Sequence, residues 1–176
     1  MAVAIRPAQP GDLSTIRRIA QATWQATYPD ISSRNRRSFI SRAYSDRQLS
    51  PLLTSPQDWF YVAQREDAVI AFAHFLQRAG HNIELARLYV LPARQRQGVG
   101  TALLCHGLAA TASLGFRHCF ASVHVSNAVA RRFYEKHGFT RHRSLGQPLG
   151  DQLLHLIEYR LPLNASQPPT RVCPTF

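Results

Sequence analysis

The sequence predicts a mixed α/β fold, with a mostly antiparallel central sheet of six to seven strands flanked by about four helices. Three observations point there. Short runs rich in β-branched and aromatic residues recur along the chain, helical spacing of apolar residues interrupts them, and turn residues join most of the runs as hairpins. At 176 residues and 19.8 kDa the chain has room for one domain with a sizeable core, and two ordinary domains would be crowded. We expect a single domain over 1–161 and a flexible tail over 162–176, where prolines and small polar residues follow Leu161 (PLNASQPPTRVCPTF).

The elements follow in order. Residues 3–6 (VAIR) read as a short strand, and Pro10 and Asp12 punctuate a helix start. Leu13, Ile16, Ile19, Ala20 and Trp24 then recur at helical spacing, which predicts a helix over about 12–26. Residues 33–54 are mixed and polar, with Phe39, Ile40, Tyr44 and Leu49 on one or two short helices. WFYVAQ (59–64) and VIAFAHFLQ (69–77) read as a hairpin around REDA, and NIELARLYVL (82–91) as the next strand after Ala79-Gly80-His81. A helix from Gly98 to about Gly115, a strand CFASVHV (119–125) and a helix from Asn127 to His137, closed by Gly138, come next. FTRHRSLG and DQLLHLIEYRL complete an antiparallel pair, giving the order β-α-α-β-β-β-α-β-α-β-β.

Composition excludes several function classes. Hydrophobic residues make up 45% and charged residues 18%, the balance of a globular chain rather than a disordered one. No run approaches the roughly 20 apolar residues of a membrane span, and the N-terminus lacks a signal-peptide pattern. A cytoplasmic protein without a membrane partner is the expectation. The net charge of +11 favours a polyanionic partner. Among the 21 basic residues Lys136 is the single lysine, a bias that reads as genome base composition. The arginines are spread along the whole chain, so nucleic acid is not the expected polyanion. Cys105, Cys119 and Cys173 are odd in number and lack CxxC spacing, which speaks against disulfides and zinc. The eight histidines form no HxxxH, HxH or HExxH, and the nearest pair, His137 and His142, spans a turn. No metal is expected.

The segment with chemistry in it is LYVLPARQRQGVGTALL (88–104). A strand ends at Leu91, Pro92 stops it, and a basic loop enters a helix at Gly98-x-Gly100. A helix N-terminus exposes unpaired N–H groups and the positive end of a dipole, so it accepts phosphate. Gly98 and Gly100 remove side chains that would hold a pyrophosphate away, and Gln95, Arg96 and Gln97 add donors. A dinucleotide fold would need a third glycine where Leu103 stands, and a Walker loop would need Gly-Lys-Ser/Thr. Alone, the Gly-x-Gly also fits a helix start that tolerates small residues.

A second motif joins it in NAVARRFYEKHGF (127–139). With both in place the chain closely resembles the GCN5-related N-acetyltransferase (GNAT) superfamily. Gln95-x-x-Gly98-x-Gly100, preceded by Pro92, matches that family's pyrophosphate motif. Asn127, Ala130, Phe133-Tyr134 and Gly138-Phe139 match its second motif, in the family's order and separation. The likeness is strong over 82–161 and looser over IRPAQPGDL and TWQATY. It implies the GNAT fold, with splayed strands at the cofactor site, and acetyl-CoA as co-substrate. It also implies a cofactor site of Leu88, Tyr89 and Val90 for the pantetheine arm, Gln95 through Gly100 (including Val99) for the pyrophosphate, and Asn127 and Tyr134.

Acetyl transfer requires an acid for the departing thiolate, and a tyrosine with a pKa of about 10 suits it. Tyr134, two helical turns after Asn127, is the candidate; the alternative is a core tyrosine. The base must take a proton from an ammonium. Glu84 falls where the histone-acetylating branch of the family carries its glutamate, and it is the single acidic residue between Asp67 and Glu135. A surface Glu84, solvated or paired with Arg87, is the rival reading. Many relatives carry a glutamate where Ser122 stands, which leaves His124 or a water chain as other bases. Trp24 and Tyr28, at i and i+4, are candidates to line an acceptor pocket, although Trp24 also suits the core. The expected activity is acetylation of a primary amine of a small molecule or peptide. The alternatives are a non-catalytic acyl-CoA sensor and an arginine-rich nucleic-acid binder. With ten acidic residues in all, polyamines are disfavoured as acceptors. A homodimer fits the family's habit.

Overall fold

The structure, a computed structural model, describes residues 3–163. β1 (Ala4–Pro7) leads through a 3-10 turn (Pro10–Asp12) into α1 (Leu13–Thr27). Asp12 fixes that turn: its carboxylate accepts from the Gln9 backbone N–H at 2.8 Å and from both Arg6 terminal nitrogens at 2.7 and 2.9 Å. The Arg6 hydrogen bonds hold the Asp12 carboxyl below its ordinary pKa. α1 buries the stripe seen in the sequence, Leu13, Ile16, Ile19, Ala20 and Trp24. The mixed segment resolves into α2 (Ser33–Ala43), α3 (Asp46–Leu49) and a 3-10 turn. Ser32 caps α2 by accepting from the Asn35 N–H at 3.2 Å.

β2 (Asp58–Arg65), β3 (Ala68–Arg78) and β4 (Asn82–Val90) form two successive hairpins. α4 (Val99–Thr111), β5 (His118–His124), α5 (Ala128–Lys136), β6 (Thr140–Leu149) and β7 (Gln152–Pro162) follow. The seven strands order as β1-β2-β3-β4-β5-β7-β6, antiparallel throughout except for β4 beside β5. One face of the sheet packs on α4 and α5 through Ile83, Leu85, Leu103, Leu104, Val123 and Tyr134. The other packs on α1 and α2 through Ile16, Ile19, Ile40, Phe60, Val62 and Phe72. α4 lies close on the sheet because Gly107 leaves room for the Phe75 ring, which would stand 2.0 Å from a Cβ there.

Two departures from regular pairing shape the centre of the sheet. The first is a bulge on β4. His74 pairs with Arg87 and Phe75 with Leu85, so Ala86 is unmatched and the side-chain alternation shifts by one. Glu84 and Tyr89 therefore share a face, whereas regular alternation would oppose them. At the bulge the Arg87 guanidinium donates to His74 Nδ1 at 2.6 Å. A guanidinium cannot accept, so the imidazole proton sits on Nε2 and is donated to Asp58 Oδ1 at 2.6 Å. His74 is thus neutral: burial, then the Arg87 charge, push its pKa down to about 4. The second departure is that β4 pairs with β5 only over Asn82–Glu84 and His118–Phe120. Beyond that point β4 is paired with β3 alone and β5 with β7 alone. The two central strands part, as the resemblance implied.

Cys119 is a free, buried thiol; Cys105 is disulfide-bonded, contrary to the sequence expectation, and Cys173 lies outside the described residues. Most of the expected tail likewise lies outside them. Among the described residues no helix is long and apolar enough to cross a membrane.

Candidate active site

The phosphate-accepting turn begins where β4 leaves the sheet. Leu91 N–H donates to the Ile70 carbonyl at 3.0 Å, and a 3-10 turn (Pro92–Arg94) redirects the chain. Arg96 at φ 60° and Gly98 at φ 80° then bring it into α4. Gly98 is the position that demands glycine on conformational grounds, since φ near +80° strains any L residue. The first helical bond runs from Ala102 N–H to the Gly98 carbonyl at 2.9 Å. The N–H groups of Val99, Gly100 and Thr101 therefore have no carbonyl of their own helix to bond, and they stand at the dipole's positive end.

The loop side chains differ from expectation in two respects. Gln95 Nε2 donates back to the Val90 carbonyl at 3.2 Å. Gln97 donates to the Ala93 carbonyl at 3.4 Å and accepts from Arg65 at 2.9 Å. Both glutamines brace the loop, which leaves backbone N–H groups and the exposed Arg96 as anion donors. α4 meets α5 near Gly100, where a Cβ would stand in ordinary contact with the Phe133 ring at 3.5 Å. That contact is reinforced at His137, which the sequence presented only as half of a weak histidine pair. His137 Nδ1 donates to the Phe133 carbonyl at 2.7 Å, so Nε2 accepts from the Thr101 hydroxyl at 3.0 Å. His142 packs on Phe120 instead, with ring centroids 5.6 Å apart.

Below the gap between β4 and β5 lies Tyr134. It belongs to the apolar cluster that includes Leu88 and Val90 on β4 and Val123 on β5, and its ring sits against Phe139 at 5.2 Å and Phe133 at 5.3 Å. The residue is 7% exposed, and its hydroxyl makes no hydrogen bond among the described residues. Burial raises its pKa and keeps the phenol protonated. Asn127 caps α5 by accepting from the Ala130 N–H at 3.0 Å, while its Nδ2 donates to the Tyr28 hydroxyl at 3.2 Å. That bond ties the end of α1 to the start of α5 and uses one of the two Asn127 amide N–H groups.

Beside the gap opens a cavity of about 470 Å³ that brings Trp24, Tyr28, Glu84, Ser122 and His124 together. Trp24 belongs to the core and also borders the cavity. It is buried in the α1–α2 core, stacked on Phe39 at 4.3 Å with Nε1 donating to the Tyr89 hydroxyl at 3.0 Å, and it lines the cavity. Tyr28 meets it edge-on at 5.0 Å and meets His124 at 5.7 Å. His124 is itself bonded through Nδ1 to Ser126 Oγ at 2.7 Å. Glu84 keeps 30% of its side chain exposed, and burial of the remainder raises its pKa. Its cationic neighbour is Arg78 at 3.7 Å, not the Arg87 of the rival reading, which is bonded to His74. Arg78 also donates to the buried Glu158 at 2.9 Å and lies over the Phe120 ring at 4.6 Å.

Sequence reasoning missed Phe39, Arg78 and the far wall of this cavity, formed by Leu145–Gln147, Leu149, Leu154 and Leu156. The β6 and β7 pattern could have shown that these residues share a face, but not which segment they would face.

A parted strand pair, a helix N-terminus built to take an anion, and a cavity beside them define an acyl-transfer enzyme. The family model described as Acetyltransferase (GNAT) family matches residues 13–139. The chain belongs to that family and is an acetyltransferase with the GNAT fold. The spermidine N(1)-acetyltransferase of Thermoplasma acidophilum is 30% identical over 144 residues, covering 79% of this chain and 89% of that one. The PaiA N-acetyltransferase of T. acidophilum, solved in complex with coenzyme A, superposes with a TM-score of 0.79 at 28% identity, over 90% of this chain and 98% of that one. The ribosomal-protein-S18-alanine N-acetyltransferase of Escherichia coli superposes with a TM-score of 0.71 at 22% identity, over 93% and 95% of the two chains, a likeness of fold alone.

Proposed function

We propose that the chain transfers the acetyl group of acetyl-CoA to a primary amine of a small molecule or peptide, by direct attack on the thioester. The observation that carries this reading is the opening between β4 and β5. It exposes one unpaired strand edge, leads at one end to the N–H groups of Val99–Thr101 and at the other to the cavity holding Glu84, and has Tyr134 beneath it. The coenzyme A held by the solved T. acidophilum relative supports acetyl-CoA as the donor.

The steps follow from the residues. First-turn N–H groups and Arg96 take the pyrophosphate. The free edge of Leu88, Tyr89 and Val90 bonds the pantetheine arm as an added strand would, and a backbone N–H there stabilises the oxyanion. Glu84 receives the ammonium proton, directly or through water, and its raised pKa makes it a better base than an exposed glutamate. The amine nitrogen then bonds the carbonyl carbon and the carbon–sulfur bond breaks. Tyr134 donates to the departing sulfur. Because burial raises the phenol above its ordinary range, it acts first as a hydrogen-bond donor and gives up the proton as charge builds.

Thiol release from acetyl-CoA with a panel of primary amines and N-terminal peptides tests the reading. Tyr134→Phe is expected to lower kcat by about a hundredfold, the scale of a lost general acid, with acetyl-CoA affinity held within twofold. A loss below threefold removes the acid role. Absence of thiol release with every amine, while acetyl-CoA still binds, would favour the sensor alternative.

A further inference from the structure

We infer that the acceptor is an amine bearing one positive charge on an apolar or aromatic body, and that polyamines are poor acceptors. The inference rests on the acetyl-transfer reading of the same cleft and concerns what fills the cavity beside it.

The cavity, about 470 Å³, is of small-molecule size. Of the residues that line it, Glu84 alone is acidic, and part of that charge is answered by Arg78 at 3.7 Å. One ammonium is therefore met at the reacting end. Further in, the walls are the Trp24–Phe39 stack, Tyr28, Leu154 and Leu156. A second ammonium there would lose its water and find no carboxylate, which costs far more than an apolar body placed against the same surface. The aromatic faces do not replace the missing anion. Trp24 has one face covered by Phe39 and its indole N–H committed to Tyr89. Of the nearby acids outside the wall, Asp30 and Asp151 are exposed, with Asp151 accepting from Asn35 Nδ2 at 2.8 Å, and the buried Glu158 is already paired with Arg78 at 2.9 Å and Arg143 at 2.7 Å. At 30% identity the spermidine-acetylating relative does not fix the composition of this wall.

The reaction balances with a single cation. Glu84 takes one proton from the ammonium and passes it to water. The carbon–nitrogen bond forms as the carbon–sulfur bond breaks. The second proton lost by nitrogen replaces the one Tyr134 gives to sulfur, and the products are a neutral amide, free thiol and one proton in solution.

The test begins with calorimetry of acetyl-CoA on the full chain, followed by thiol release at saturating acetyl-CoA with phenethylamine and with spermidine. The kcat/KM for phenethylamine is expected to exceed that for spermidine by at least about tenfold, the scale set by leaving a buried charge unpaired. Gln147→Glu, on an exposed stretch of the lining, adds a second carboxylate and is expected to narrow the gap several-fold. Spermidine turnover equal to or above that of phenethylamine overturns the inference and leaves the acetyl-transfer reading standing. So does a gap that Gln147→Glu does not change, or no turnover of either amine on protein that binds acetyl-CoA. If acetyl-CoA gives no heat, the acetyl-transfer reading falls and takes this inference with it.

Discussion

From Leu88 to Thr101 the cleft presents main chain: a strand edge without a partner, then a helix start whose N–H groups have no acceptor in their own helix. Across from it, between Trp24 on α1 and Leu156 on β7, the cavity presents side chains from segments more than a hundred residues apart. The difference follows from what each half must recognise. A thioester carrier offers the same phosphates and amide-rich arm in every turnover, and under the proposed reading a backbone whose geometry is set by Pro92, Gly98 and the β4 bulge would hold them with little dependence on side-chain identity. An acceptor is distinguished by its shape and charge, which only side chains can read. The donor half is then expected to respond to backbone changes in acetyl-CoA affinity, and the acceptor half to side-chain changes in turnover of the amine.

The largest effect is expected at Glu84, where the halves meet. Glu84→Gln is expected to lower kcat by about a hundredfold with acetyl-CoA affinity unchanged. It is also expected to abolish the acidic limb of the pH–rate profile, which in the wild type falls as pH drops through the raised Glu84 pKa. Retention of full activity across the profile would move the base to His124 or to water. Next is Gly98→Val. A β-branched residue at φ 80° costs about 1–2 kcal/mol. Calorimetry should show acetyl-CoA binding weakened about tenfold, while the KM for amine stays the same. A change in amine KM alone would blur the division between the halves. Trp24→Phe removes the bond to the Tyr89 hydroxyl, worth about 1 kcal/mol, and is expected to raise amine KM about fivefold without altering acetyl-CoA affinity. The smallest effect is expected from Arg78→Gln. The Arg78 charge holds the Glu84 pKa down, so its removal raises that pKa further. The acidic limb should move to higher pH with the plateau rate nearly kept. Movement to lower pH would contradict the assigned pairing.

The same contrast explains what the sequence made legible. The donor half lies within one stretch of chain, and its turn, proline and glycines stand next to each other in sequence, as do Asn127 and Tyr134 on α5. Local order was therefore readable, and the strand and helix boundaries agree with the structure to within a few residues. At Gly100 a Gly-x-Gly pattern shows that a side chain is missing but not what lies nearby, here Phe133 on α5. The loop amides show a similar limit: the sequence offers Gln95 and Gln97 as donors but does not show that they also reach the carbonyls of Val90 and Ala93. The acceptor wall was invisible. Leu154 and Leu156 carry an ordinary strand alternation, and nothing local says that they will face Phe39. Arg78 was passed over because the bulge at Ala86, which places Arg87 against His74 and leaves Glu84 to Arg78, appears only once β3 and β4 are in register.

That main-chain N–H groups at the start of α4 carry the donor's anionic portion is tested most directly by amide proton resonances during a titration with coenzyme A. The amides of Val99, Gly100 and Thr101 are expected to show the largest downfield shifts in the protein, as hydrogen bonds form where the helix supplies no acceptor. Saturable binding that leaves these three resonances in place would show that the anion is held elsewhere.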